Sequence, residues 1–246
     1  GLHKITMVTR LVICALAAAC LPRSVESADK NQPHYHSGIL PKFKAGPPAG
    51  IGFKLSGAQQ GALTKGENVL ATIANRGGDG SCVAVLDIAV PRHIIWNKIT
   101  DYKRYPQMVS GVTRCDTYKA LNGPSKKKNW SRYVVSAMGI KKEYFVEHTY
   151  EPYKSCMTFC LDYSRQSDFD DSVGYWYVME HPSDKSMSRV FYSCRLKLRG
   201  WVPGPVKNYL MKTAVKQATL WVAKESKAEF DKQNGGGRFS FSAFKR

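Results

Sequence analysis

The sequence predicts an α+β fold in which an antiparallel sheet packs against one long C-terminal helix. Runs rich in Val, Tyr, Phe and Trp recur between residues 80 and 199 with turn residues between them, which is typical of strands. Two of these runs alternate apolar and polar residues, as strands do when one face lies in a core and the other in water. The last long segment before the glycines at 235–237 repeats apolar residues at helical spacing.

The first strand and the first helix meet at a proline. Alternate positions put one apolar face on the strand, formed by Cys82, Ala84, Leu86, Ile88 and Val90. Pro91 favours a helix start, and Ile95, Ile99 and Tyr102 follow at helical spacing. We expect Pro106 to end this helix, because proline lacks the N–H that the next turn needs.

Six further strands are predicted before the last helix. They are the runs VTRCDTYKAL, WSRYVVSAM, KEYFVEHTYEP, SCMTFCLDYS, GYWYVMEHP and SRVFYSCRLKLR. The two alternating runs place on one face Met157, Phe159, Leu161 and Tyr163, and Val190, Tyr192, Cys194, Leu196 and Leu198. An apolar sheet face must be covered by another element, which here is the last helix.

That helix is predicted from Pro205, a residue favoured in the first turn, to about Asp231. One side is apolar, with Leu210, Met211, Ala214, Val215, Ala218, Trp221 and Val222. The other side carries Lys212, Lys216, Lys224 and Lys227. We therefore expect residues 80–232 to form one domain.

The N-terminal residues 1–28 have the pattern of a signal peptide whose natural start is Met7. Arg10 is followed by an apolar run over residues 11–21, which is short for a membrane span, and then by small residues. The alternatives are a short buried helix and, in a bacterium, lipidation at Cys20. The pattern predicts entry into the secretory pathway, with the protein secreted or held in an organelle lumen.

The remaining segments have compositions typical of flexible chain. Residues 29–79 are basic and rich in Gly and Pro, which predicts a flexible arm, and residues 233–246 predict a Gly-rich basic tail. His34 and His36 lie close together but have no third ligand nearby, so we expect no metal site. The five cysteines after residue 28 are an odd number with no CxxC motif, and we interpret them as small core residues.

The chain is strongly basic, with 37 Lys and Arg, 19 Asp and Glu, and a net charge of +18. Such an excess favours anionic surfaces. The sequence contains no DNA-reading helix or RNA-binding signature, so we favour peripheral contact with anionic membranes over nucleic acid. We expect a monomer without a cofactor.

The segment VLDIAVPRHIIWNKITDYKRYPQMVSGVTRCDTY resembles the opening of the START-like superfamily, which includes polyketide cyclases and coenzyme Q-binding proteins. The shared features are a strand leading to a proline, then Trp96, the pair Asp101 and Tyr102, and Tyr105 before Pro106. The resemblance covers about residues 80–232. It implies a helix-grip fold, in which a curved sheet wraps around a long helix with a hydrophobic cavity between them. It also implies binding or transfer of a lipid, a quinone or a similar molecule.

A cavity of this kind would be lined by the inward side chains of the sheet and helix. The predicted lining residues are Phe159, Leu161, Tyr163, Tyr175, Tyr177, Tyr192, Leu196, Leu210, Ala214 and Trp221. We interpret the Gly- and Pro-rich junction before the last helix as a gate that contacts the membrane, because Trp suits the membrane interface. Its residues are Arg199, Trp201, Val202 and Lys207. Ordinary core packing remains the alternative for each lining residue.

The alternative function is an enzyme of cyclase or hydrolase type. It would use His148 or a cavity tyrosine for proton transfer. The acidic residues Asp168, Asp170 and Asp171 have no His or Glu at a recognisable spacing. The sequence also contains no phosphate-binding loop, nucleophile elbow or HExxH motif. We therefore predict no catalytic residue and favour a carrier of an apolar ligand.

Overall fold

The computed structural model describes residues 29–36, 40–73, 81–137, 140–199 and 204–235, with the main chain alone at 73, 81, 137, 140 and 204–216. Its strands are β1 Val69–Ile73, β2 Ser81–Ile88, β3 Val112–Asn122, β4 Lys127–Ala137, β5 Ile140–Glu151, β6 Cys156–Leu161, β7 Asp171–Glu180 and β8 Ser188–Lys197. Its α-helices are α1 Gly57–Thr64, α2 Arg92–Ile99, α3 Tyr105–Met108 and α4 Gly204–Gln233. Three short 3₁₀ turns connect them at Pro48–Ile51, Tyr102–Arg104 and Pro152–Lys154.

All of these strands lie in one sheet in the order β1-β2-β8-β7-β6-β5-β4-β3, and every neighbouring pair is antiparallel. The pairing of β2 with β8 brings the two ends of the predicted strand series together. The curved antiparallel sheet with one long C-terminal helix confirms the predicted α+β helix-grip fold.

Helix α4 covers one face of the sheet, which we call the inner face. It contacts β2, β8 and α2, and its Trp221 and Val222 belong to the core on that face. Lys98 of α2 forms a 3.0 Å ion pair with Glu229 of α4. The helix predicted from Pro205 to about Asp231 is confirmed, with observed bounds Gly204–Gln233.

The alternation read from the sequence correctly assigns the inner face of β2, β6 and β8. The predicted apolar face of β2, together with Met157, Phe159 and Leu161 of β6, lies in the inner core. The expectation for Pro106 is wrong. Helix α2 ends at Ile99, and Pro106 lies in the first turn of α3, where a missing N–H costs nothing.

Residues 40–73 are packed against the outer face of the sheet, so the prediction of a flexible arm is wrong for them. They contain α1, which begins with a capping box, and β1, which extends the sheet beyond β2. Phe53, Leu63 and Val69 are buried in an outer core with side chains of β2, β7 and β8. The outer core therefore covers part of the outer face of the sheet.

Both predicted terminal segments fall mainly outside the described residues. The proposed signal peptide at 1–28 does so entirely, and so does the tail from residue 236 onward. Their roles stay predictions. Among the helices that the structure describes, none combines the length and the apolar character required to cross a bilayer.

Candidate functional site

The inner face is tightly filled at the end of the sheet where α2 begins. Met157, Val178 and Val190 have at most 1% of their surface exposed. Trp176 lies in the same part of the core, with its ring 4.2 Å from that of Tyr192. This half of the interior has the close packing of an ordinary core.

The other half of the inner face is less covered. Here several inner-face side chains are only partly buried, although Leu161 and Val146 on the same face are buried. These partly buried side chains are Val135, Tyr144, Phe159, Cys194 and Leu196, and we call them the open end. The open end lies where β8 finishes and the chain turns toward the start of α4.

His148 places a buried imidazole beside the open end. Its ring lies 4.8 Å from that of Tyr102 and 5.7 Å from that of Phe159. Nε2 is 3.3 Å from the Tyr133 hydroxyl, whereas Nδ1 has no hydrogen-bond partner in the described part of the chain. Burial lowers the pKa of His148 to about 3, against a smaller opposing effect of the Asn129 main chain. The ring is therefore neutral at neutral pH.

Two thiols also face the interior. Burial raises the pKa of Cys115 to about 12 and that of Cys194 to about 11. Both thiols are therefore protonated at neutral pH, which makes them poor nucleophiles and poor metal ligands. Within the described residues, no group of three or more His, Cys, Asp or Glu side chains has the arrangement of a metal site.

The acidic residues just before and at the start of β7 form ion pairs and a hydrogen bond with neighbouring segments. Asp168 forms a 2.7 Å ion pair with Lys30, and Asp170 lies 3.4 Å from Lys197. Asp171 accepts a 2.6 Å hydrogen bond from the Tyr163 hydroxyl. Each of the three aspartates therefore has a structural partner.

Residues 29–36 form a strap across the loop between β6 and β7. The His34 amide donates to the Tyr163 carbonyl at 2.9 Å. The His34 ring accepts the Ser167 amide N–H at Nδ1, at 3.2 Å, and its Nε2 lies 2.6 Å from the Asp170 carbonyl oxygen. An amide N–H only donates and a carbonyl only accepts, so these contacts require a neutral ring with its proton on Nε2.

Acidification is expected to loosen this strap. Burial lowers the pKa of His34; the Asp170 carbonyl and Asp171 oppose the shift, while Arg199 and His36 add to it. An unfolded histidine takes up a proton near its ordinary value of 6.5, whereas the folded ring stays neutral to lower pH. The stabilisation that the neutral His34 ring provides is complete above pH 6.5. It is lost as the pH falls toward the pKa of the folded state. Amide hydrogen exchange at Ser167, corrected for intrinsic rates, should show falling protection over this interval.

The matched control is His34→Gln. Its side-chain oxygen can accept the same amide N–H but does not titrate. This variant should lose the pH dependence at Ser167. An identical pH profile in both proteins would show that His34 does not control the strap.

The structure distributes the predicted lining residues over both faces of the sheet. Those on the inner face are Phe159, Leu161, Tyr163, Tyr192 and Trp221, and Leu196 follows Cys194 at the next alternate position of β8. The prediction is wrong for Tyr175 and Tyr177, which pack in the outer core against residues 40–73. That the inner residues line a ligand cavity stays a prediction.

The predicted gate lies largely outside the described residues. Trp201 and Val202 are not among them, and for Leu210, Ala214 and Lys207 only the main chain is described. Arg199 is exposed and donates to the carbonyls of Tyr35, at 3.0 Å, and Ser167, at 3.2 Å. It therefore ties the strap to the end of β8.

Val135, Tyr144 and Gly174 were not among the site residues predicted from the sequence. Tyr144 shares the inner face of β5 with Val146 and His148, so extending the alternation from His148 would have found it. Gly174 lies opposite Phe159 in the sheet, and a Cβ at this position would overlap the Phe159 ring. No local sequence signal reveals that contact.

Two surface clefts of about 520 and 650 Å³ lie away from the open end. The first is beside the start of α2 and includes Arg92, Trp96 and Lys185. The second is beside β3 and β4 and includes Arg114 and Arg132. Neither cleft contains a residue of the open end, and charged side chains are among the residues that line both.

A curved antiparallel sheet packed against one long C-terminal helix is the START-like, helix-grip fold. The family described as "Polyketide cyclase / dehydrase and lipid transport" matches residues 88–219. The chain belongs to this family. Membership indicates binding of a hydrophobic ligand or lipid transport. No curated protein matches the chain.

Solved structures show the same fold at low sequence identity. A START superfamily protein from Mycobacterium smegmatis is 17% identical with a TM-score of 0.50, over 60% of this chain and 97% of that one. A STAR-related lipid transfer protein from Xanthomonas axonopodis is 12% identical with a TM-score of 0.52, over 65% and 93%. The Zhui aromatase/cyclase from Streptomyces sp. R1128 is 11% identical with a TM-score of 0.50, over 64% and 97%.

Proposed function

We propose that the protein binds an apolar molecule, a lipid or a quinone, against the open end of the inner face and transfers it between membranes. The observation that carries this proposal is the set of partly exposed apolar side chains inside the sheet-and-helix grip. In a filled core they would be as buried as Val178 and Val190. Apolar surface left uncovered in a concave interior is typical of a ligand site.

The chemistry of the open end favours an uncharged guest. Its side chains are aliphatic, aromatic or a protonated thiol, and the neighbouring His148 is neutral. A charged group would lose its hydration there without gaining an opposite charge. The buried part of the ligand is therefore a hydrocarbon or a ring with uncharged oxygens.

Membrane contact is the second part of the proposal. The net charge of +18 favours anionic lipid surfaces. The junction with Arg199, Trp201, Val202 and Lys207 follows β8, next to the open end in the chain. We place the gate there, with the Trp201 indole entering the membrane interface during ligand exchange.

Native mass spectrometry after mild purification should reveal a co-purifying apolar molecule. Val135→Trp is expected to abolish its binding, because the larger side chain fills the open end. Leu121→Trp is the matched control, since Leu121 is 54% exposed and outside the site. In a liposome transfer assay, Trp201→Ala should slow transfer and leave binding unchanged. Binding by Val135→Trp equal to that of the control would refute the proposed site.

An enzyme of cyclase or hydrolase type is the second candidate, and His148 is the observation that favours it. A neutral, buried imidazole beside the open end can accept or deliver a proton. The discriminating result is chemical turnover of the co-purified molecule that His148→Gln abolishes while binding persists. Release of that molecule unchanged favours the carrier.

A further inference from the structure

We propose that Phe159 closes the inner end of the ligand site and so sets the length of the apolar chain that the protein accepts. The inference rests on the proposed function. The ligand class that it specifies is an uncharged hydrocarbon chain, acyl or isoprenoid, which enters from the open end and stops against the Phe159 ring.

Phe159 lies beside the filled part of the interior, and its own side chain is only partly buried. Its ring lies between those of His148 and Tyr192, with centroids 5.7 and 6.5 Å away. The adjacent row of the sheet pairs Met157 with Trp176, and both are buried. On the other side of the ring, Val135, Tyr144 and Leu196 are partly exposed, and Leu161 lies among them as a buried side chain.

Gly174 is what allows the ring to occupy this position. It pairs with Phe159 across β6 and β7, and then with Cys194 across β7 and β8. A Cβ on Gly174 would overlap three atoms of the Phe159 ring, Cζ, Cε1 and Cε2. The main chain of Gly174 has no positive φ that would require glycine. The glycine is therefore explained by the distal end of the Phe159 ring, which occupies the space that a Cβ would need.

Substitutions of these two residues should change chain-length selection in opposite directions. Phe159→Ala removes the ring and extends the site toward Trp176. Gly174→Ala lifts the ring away from β7 into the open end, which shortens the site. If a residue had a purely structural role, its substitution would weaken the binding of alkanols of every chain length to the same extent.

The experiment measures dissociation constants for n-alkanols from octanol to octadecanol by displacement of a fluorescent apolar dye. In the wild type, affinity should rise with chain length up to a limit and then fall. Phe159→Ala should move that limit to longer chains, with affinity rising about fourfold for each further methylene group accommodated. Gly174→Ala should move the limit to shorter chains.

The double variant, Gly174→Ala with Phe159→Ala, separates this effect from misfolding. Phe159→Ala removes the three atoms nearest to the added methyl group, so the limit should again lie at the longer chains accepted by Phe159→Ala alone. Gly61→Ala is the matched control, because a Cβ at Gly61 has no neighbour within 4 Å. An unchanged limit in Phe159→Ala, with normal alkanol binding, would overturn the inference and leave the proposed function intact. A wild-type protein that binds no alkanol and carries no apolar molecule would overturn both.

Discussion

Replacing Asp87 by Ala is expected to lower the free energy of unfolding by about 3–5 kcal/mol. The Asp87 carboxylate accepts hydrogen bonds from Nε and Nη2 of Arg189 at 2.7 and 2.8 Å. Their side chains are only 6% and 4% exposed. Without Asp87, a guanidinium charge stays buried with no carboxylate beside it. The third nitrogen of Arg189 donates to Gln60 of α1, so the loss also weakens the contact between residues 40–73 and the sheet.

Urea denaturation of the two proteins measures this effect. Glu180→Ala is the matched control, because the Glu180–Arg92 ion pair is 54% and 41% exposed and should contribute less than about 1 kcal/mol. The combined change Asp87→Ala with Arg189→Met should recover part of the loss, since it removes the unpaired charge. Equal stabilities of Asp87→Ala and Glu180→Ala would contradict the assignment of a structural role to the buried pair.

The sequence predicts the inner face well where apolar and polar residues alternate along a strand. In β6 and β8 the apolar residues alternate, so the side facing α4 can be read directly. In β7 the residues from Asp171 to Trp176 are all buried, and aromatic residues occupy three consecutive positions, 175–177. Alternation carries no information there. This is why Tyr175 and Tyr177 were placed on the wrong face.

The open end and residues 40–73 could not be predicted for a different reason. The apolar side chains of the inner face look the same in the sequence whether the space above them is filled or empty. The role of Gly174 depends on which residue of β6 it faces, which is a property of strand register. Residues 40–73 have a composition typical of flexible chain. Their few apolar side chains form a core only together with side chains on the outer face of the sheet.

Replacing Phe53 by Ala is therefore expected to destabilise the whole domain by about 3–5 kcal/mol, as for other buried aromatic residues. Phe53 is 7% exposed, and its ring meets that of Phe191 of β8 edge-on at 6.3 Å. The substitution removes apolar contacts between residues 40–73 and the outer face and leaves a cavity there. A flexible arm independent of the domain would predict no change.

The measurement is again urea denaturation, followed through the tryptophans of the inner core, which lie on the opposite face of the sheet from Phe53. Tyr35→Ala is the matched control, because Tyr35 also precedes the sheet but is 78% exposed, so its loss should have little effect. A cooperative transition at lower urea in Phe53→Ala alone is the expected result. If both variants unfolded like the wild type, residues 40–73 would contribute nothing to the stability of the sheet that holds the ligand site.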